Sequence, residues 1–206
     1  MKTAECKPTR PRGRPLSFDR ETVLERAMHL FWRQGYETTT VQDLTAAMGI
    51  TAPSLYSAFG DKEQLYLEAV SYYRARYGEH GKQILDSVPE TRAAVRALLE
   101  YMVFVYSDPD LPSGCMVVNS AINCTPSSAH VQSAMQTCRA EGMAMLQARI
   151  ERGVREGELH PDTDCAALAT FYYTVASGMS LQARDGTDCA TMNRIIESAM
   201  AAWPKK

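Results

Sequence analysis

Three groups of side chains in this 206-residue sequence are able to do chemistry. Between Thr40 and Lys62, hydroxyls, small residues and a lysine gather within two short helical stretches: Thr40, Thr51, Ala52, Pro53, Ser54, Tyr56, Ser57 and Lys62. Hydroxyls and an ammonium donate to phosphate oxygens and base edges, and small residues let a helix approach a duplex closely. The run Arg10-Pro-Arg-Gly-Arg-Pro15 alternates Arg10, Arg12 and Arg14 with residues that keep the chain extended. Such an arm fits a narrow, strongly negative A·T-rich minor groove, although a solvated basic tail has the same composition. The third group is the thiols, of which Cys115 follows a Pro/Gly-rich loop and opens an apolar stretch. A helix N-terminus there would favour its thiolate, while the plainer reading is a small buried apolar residue.

Other chemistries find no support. His29, His80, His130 and His160 are scattered, and Gly-x-Ser-x-Gly, phosphate-loop and dinucleotide glycine patterns are absent. Neither a catalytic set, nor a metal site, nor a cofactor is expected. The six cysteines, Cys6, Cys115, Cys124, Cys138, Cys165 and Cys189, show no paired spacing. They read as reduced thiols of a cytoplasmic protein. Met1 to Arg20 has no apolar stretch behind its basic residues, and no run approaches the length of a membrane span. Its six basic and two acidic residues leave +4, so the rest of the chain carries −6 to reach the overall −2. That asymmetry gives a polyanion one end of the molecule to hold.

Helices must position these groups, since apolar residues recur at helical spacing almost everywhere after Ser17. Val23, Ala27, Leu30 and Phe31 stripe a helix over 19–34 that ends at Gly35. Thr40-Val-Gln-Asp43 is a capping box for a short helix that stops at Gly49. Thr51 caps the next, with Pro53 tolerated in its first turn, and it ends at Phe59-Gly60. Asp61 caps a longer helix from Lys62 to about Gly78. Short helices joined by a tight turn make a helix-turn-helix. Further helices are expected over 89–106, 115–122, 127–155, 162–184 and 189–202, with a loop at 108–114. The fold class is all-α, divided into a basic arm at 1–15, a helix-turn-helix unit at 16–76 and a further helical unit at 77–206.

On the helix after Thr51, Leu55 and Phe59 face inward, and Ala52, Pro53, Tyr56 and Ser57 face out. Tyr56 reads either as a phosphate contact or as a partly buried packing residue. Lys62 stands where a helix dipole disfavours positive charge, which a nearby phosphate would explain. Thr40 is an N-cap that can also offer its hydroxyl and N–H to a phosphate.

The segment FWRQGYETTTVQDLTAAMGITAPSLYSAFGDKEQL, Phe31 to Leu65, closely resembles the DNA-binding signature of the TetR family of transcriptional repressors. The resemblance is carried by Phe31, Gly35-Tyr36, Thr39-Thr40-Val41, Gly49-Ile50 and the run Leu55-Tyr56, Phe59, Lys62-Glu63, Leu65, with one departure at Thr45-Ala46. It covers about the first quarter of the chain. It implies a homodimer that binds double-stranded operator DNA and is released by a small-molecule effector. It also assigns Lys62 to phosphate. In a dimer the two recognition helices must lie about 34–36 Å apart to meet successive major-groove faces.

Met102, Tyr106, Met116, Val118, Met143, Tyr172, Tyr173 and Met179 fall on inward faces of the later helices, where each is either core or part of an adaptable pocket. Cys115 and Asn119 join that pocket set, Asn119 being equally suited to a helix–helix hydrogen bond. Cys115 is also the trigger in an alternative reading as a thiol- or metal-responsive regulator. A further alternative is a helical small-molecule-binding protein that does not bind DNA. The dimer seam is placed on 166–179 and 191–203, with Ala166, Ala169, Ala176 and Gly178 allowing close approach and Trp203 at the rim.

Overall fold

Six helices begin at a side chain that accepts the first free N–H groups: Asp19, Thr40, Thr51, Asp61, Asp164 and Asp188. The computed structural model describes residues 18–204, and all its regular structure is helical. In chain order these are α1 (Arg20–Gln34), α2 (Val41–Met48), α3 (Ala52–Phe59) and α4 (Lys62–Tyr73). A π-helical segment (Arg74–Gly78) leads into α5 (Glu79–Ser87), followed by α6 (Thr91–Tyr106), α7 (Met116–Asn119), a 3₁₀ turn (Pro126–Ser128), α8 (Ala129–Arg155), α9 (Cys165–Arg184) and α10 (Cys189–Ala201).

The expected helix from Lys62 does not stop at Gly78. Gly78 keeps right-handed helical angles, φ −71 and ψ −39, so the chain widens into a π turn and continues to Ser87. Glycine ends helices through a left-handed conformation, as Gly49 does at φ +70, and Gly78 never enters it. The expected helix over 115–122 shrinks to the four residues of α7, because the carbonyl of Ser120 accepts a hydrogen bond from the N–H of Tyr36 at 2.7 Å. The remaining boundaries move by one to three residues.

One core runs through the molecule. Phe31, Trp32, Tyr66 and Leu65 are sealed among α1–α4, and Leu99, Met116, Ile150 and Tyr172 among the later helices. On α9 the inward stripe is Ala169, Tyr172, Ala176, Met179 and Ala183. Ala169 and Ala176 therefore pack within the protomer, not at the seam where close approach had placed them. The opposite face carries exposed Ala167, Phe171, Thr174, Gly178 and Leu181.

The α6 N-terminus is held by a buried arginine. The Arg149 guanidinium donates to Thr91 Oγ1 at 2.5 Å and to the carbonyls of Val88 and Pro89 at 3.1 and 2.8 Å. The N–H of Thr91 donates to Glu158. Gly153 lies against this knot: a Cβ there would sit 2.2 Å from Thr91 Oγ1. Gly153→Ala is accordingly expected to destabilise the protein by about 1–3 kcal/mol through overpacking. Thermal unfolding checks this; an unchanged Tm would mean that the knot relaxes freely.

Candidate DNA-binding face and ligand cavity

The outer face of α3 is built by its inner one. Leu55 and Phe59 are buried, which turns Tyr56 and Ser57 to solvent, with Tyr56 51% exposed. Ala52 and Ser54 are half-covered and Pro53 is exposed in the first turn. Thr51 Oγ1 accepts from the N–H of Ser54 at 3.4 Å and lies 2.9 Å from its hydroxyl, so both residues are engaged in capping. Thr40 is similarly committed: its hydroxyl donates to Asp43 Oδ2 at 2.6 Å and accepts from the N–H of Asp43 at 3.1 Å. A phosphate at this helix start would meet first-turn N–H groups before the Thr40 hydroxyl.

Lys62 is half-buried at the start of α4, with Nζ 4.3 Å from the Tyr36 ring centroid. The ring face offsets part of the dipole penalty. Burial pushes the lysine pKa down, against the attraction of Glu37. Glu37 is itself held below the usual carboxylate range by hydrogen bonds from Ser128 and from the N–H of Thr125. Arg20 pairs with Glu68, donates to the Ala58 carbonyl at 3.2 Å and lies over the Phe59 ring. Arg10, Arg12 and Arg14 lie outside the described residues.

A cavity of about 600 Å³ opens between the α4–π–α5 strut and α6, α8 and α9. Of the residues expected to form a pocket, Met102, Tyr106, Cys115 and Tyr172 line it, with Tyr173 beside them. Asn119, Met143 and Met179 are not among its lining. Asn119 instead donates to Ser180 Oγ at 2.7 Å, Met143 Sδ meets the Thr170 hydroxyl at 3.7 Å, and Met179 is buried in the core. Of the further inward-facing residues, Met116 is buried. The sequence reading missed Tyr73, Tyr77, Tyr101, Cys138 and Glu141, all on the cavity wall. Tyr73 and Tyr77, four apart on one helical face, were the available signal. Cys115 gains nothing from a helix dipole, since α7 is a single turn. Among the described residues no group of three His, Cys, Asp or Glu is placed to hold a metal ion, and no helix is long and apolar enough to cross a membrane.

Between the face and the cavity lies the segment 114–125. Trp32 Nε1 donates to the Gly114 carbonyl at 3.0 Å, and the Tyr66 and Ser120 hydroxyls are 2.5 Å apart. Gly35, at φ +88, lets α1 end against Ser120, whose carbonyl oxygen would lie 3.1 Å from a Cβ. Arg184 at the end of α9 donates to the carbonyls of Trp32 and Arg33 at 3.4 and 3.3 Å. Helices that line the cavity and helices that carry the α3 face are therefore tied together by side-chain hydrogen bonds.

Comparison with known proteins agrees with this geometry. Residues 23–69 match the family model described as bacterial regulatory proteins, tetR family, and residues 91–199 match a tetracyclin repressor-like C-terminal domain. The chain is 32% identical over 198 residues to the HTH-type transcriptional repressor ComR of Escherichia coli K12, covering 94% of this chain and 93% of that protein. It is 29% identical to the HTH-type transcriptional repressor BdcR of the same organism, covering 90% and 91%. Among solved structures, it is 42% identical to the TetR family regulator CifR, in a cysteine-substituted form complexed with a 26-base-pair operator duplex. The match covers 93% of this chain and 100% of that one, with a TM-score of 0.91. Helix-turn-helix geometry, a second helical part with a cavity and these similarities together place the chain in the TetR family of DNA-binding transcriptional regulators.

Proposed function

We propose that this protein represses transcription by seating the α3 face of each protomer of a homodimer in the major groove of an operator, and leaves it when a small molecule fills the cavity. The observation that carries the reading is the exposed Tyr56–Ser57 face of α3 beside Lys62, held out from a sealed core. In this reading the Tyr56 hydroxyl and Lys62 Nζ meet phosphate. Thr51, Ala52, Pro53, Ser54 and Ser57 lie along the groove, and a phosphate sits at the α2 N-terminus beside Thr40. Arg10, Arg12 and Arg14 reach the adjacent minor groove. Residues 1–15, 16–76 and 77–206 then act as arm, DNA-binding unit and regulatory unit. The protein works in the cytoplasm, on the nucleoid, and carries no catalytic activity.

The exposed stripe of α9, with Phe171 42% and Leu181 53% exposed around Gly178, is the surface for the second copy. Leaving two large apolar side chains in water on one helix face costs free energy that a partner helix removes. A ligand that binds more tightly to a conformation with another spacing of the two α3 helices shifts the population away from DNA.

Lys62→Ala is expected to lower the slope of log affinity against log salt by about one, and Tyr56→Phe to weaken binding across operator sequences. Fluorescence anisotropy over a salt series measures both, and an unchanged slope removes Lys62 from the interface. Deleting residues 1–14 is expected to weaken operators with A·T-rich flanks more than those with G·C-rich flanks. Equal losses would reduce the arm to nonspecific charge. Leu181→Arg is expected to yield a monomer on analytical ultracentrifugation and to lose tight operator binding; a stable dimer would move the seam elsewhere.

A further inference from the structure

Six tyrosines line the cavity: Tyr73, Tyr77, Tyr101, Tyr106, Tyr172 and Tyr173. Five of their hydroxyls are engaged. Tyr73 donates to Cys115 Sγ at 3.5 Å, and Tyr106 is hydrogen-bonded with the same thiol. Tyr101 and Tyr172 donate to the carbonyls of Tyr77 and Ala199 at 3.0 and 2.9 Å, and Arg76 donates to the Tyr77 hydroxyl. The Tyr173 hydroxyl makes no hydrogen bond within the described residues. Its ring lies against Gly142, also on the wall, with the oxygen 3.6 Å from where a Cβ would stand. The side chain is half-buried, which leaves its oxygen within reach of whatever fills the cavity. Burial pushes this phenol up to about 12, so it stands as a protonated donor at neutral pH. A donor in such surroundings gains from an acceptor brought to it, because water is scarce there.

The charged members of the lining, Arg74, Glu79, Lys82 and Glu141, are all exposed at the mouth, two of each sign. Arg74 and Glu141 pair there at 2.6 Å. The deeper wall, with buried Leu85, Leu98, Leu99, Tyr106, Leu146 and Tyr172, carries no charged side chain. An ion drawn into it would lose hydration with no opposite charge to offset the loss. A ring would gain. Tyr73 and Tyr77 lie 5.2 Å apart, a spacing at which aromatic rings attract beyond the area they bury. Resting on the reading of this cavity as the effector site, we propose that its ligand is an uncharged aromatic molecule with one accepting oxygen, held by ring contacts with the tyrosine wall and by a hydrogen bond from the Tyr173 hydroxyl. The cavity's volume of about 600 Å³ falls within the range of about 300–1,000 Å³ that small-molecule sites occupy. No covalent step is involved, and the thiol of Cys115 serves as a partner for Tyr73 and Tyr106.

Four naphthalenes of nearly equal shape test this on the full-length protein by isothermal titration calorimetry. They carry an acetyl group, an isopropyl group, a carboxylate or an amidinium at the same ring position. The ketone is expected to bind tightest, one per protomer, and the hydrocarbon about fivefold to tenfold more weakly for want of one hydrogen bond. Carboxylate and amidinium are expected to bind weaker than the ketone by about a hundredfold or more. Tyr173→Phe keeps the ring against Gly142 and removes only the donor. It should bring the ketone down to the affinity of the hydrocarbon and leave the hydrocarbon unchanged. Equal loss of both by Tyr173→Phe would make the residue a packing element and overturn the assigned contact. Either ion binding as tightly as the ketone overturns the uncharged ligand, and binding by none of the four overturns the ligand class. Operator release is followed in parallel by anisotropy. Ketone binding without release strikes the reading of the cavity as the effector site while the ligand class stands, and failure of the untreated protein to bind operator strikes the proposed function itself.

Discussion

Two backbone carbonyls, those of Gly114 and Ser120, hold this molecule together as a working unit. Each takes its hydrogen bond from the end of α1: Gly114 from the Trp32 indole and Ser120 from the N–H of Tyr36. Trp32 is fully buried, so its N–H must find an acceptor, and this one lies 82 residues away in sequence. The same segment offers Cys115 and Val117 to the cavity. Trp32 and Tyr36 are both buried, so neither N–H has water to replace its carbonyl.

The aromatic stack around this clasp makes it stiff. Trp32 meets the Tyr73 ring edge-on at 4.8 Å and the Tyr77 ring at 5.6 Å, and Phe31 meets Tyr66 edge-on at 5.0 Å. Tyr73 and Tyr77 belong at once to this stack and to the cavity wall. Between them the chain adopts π geometry, a turn with one residue more than an α-helix needs and one often retained at functional sites. The strut from Lys62 to Ser87 thereby joins a charge beside α3 to the cavity in one unbroken helical run.

The helix-turn-helix elements depend on local physics in a different way. Hydroxyls that could meet phosphate at Thr40 and Thr51 are already spent on capping, which fixes where α2 and α3 begin. The residues left free, Tyr56 and Ser57, owe their exposure to Leu55 and Phe59 on the opposite side. A sealed inner face and committed caps leave α3 one orientation.

The first four helices were legible in the sequence because their signals are local. Asp19, Thr40, Thr51 and Asp61 cap their helices, Gly35 and Gly49 leave them, and Leu55 and Phe59 show which side faces inward. The pocket was legible only in part. Met102, Tyr106, Cys115 and Tyr172 line it, while Asn119, Met143 and Met179, with the same inward spacing, are engaged elsewhere. Periodicity separates inside from outside, but it cannot separate packed interior from empty interior. That difference depends on where other helices stand. The same limit hid the continuation through Gly78, the truncation of α7 by Tyr36 and the turning of Ala169 and Ala176 into the protomer core. Composition and spacing determine which residues cap, turn and bury. The hydrogen bonds between distant segments, formed only when the helices pack, decide which buried residues meet each other and which line the cavity.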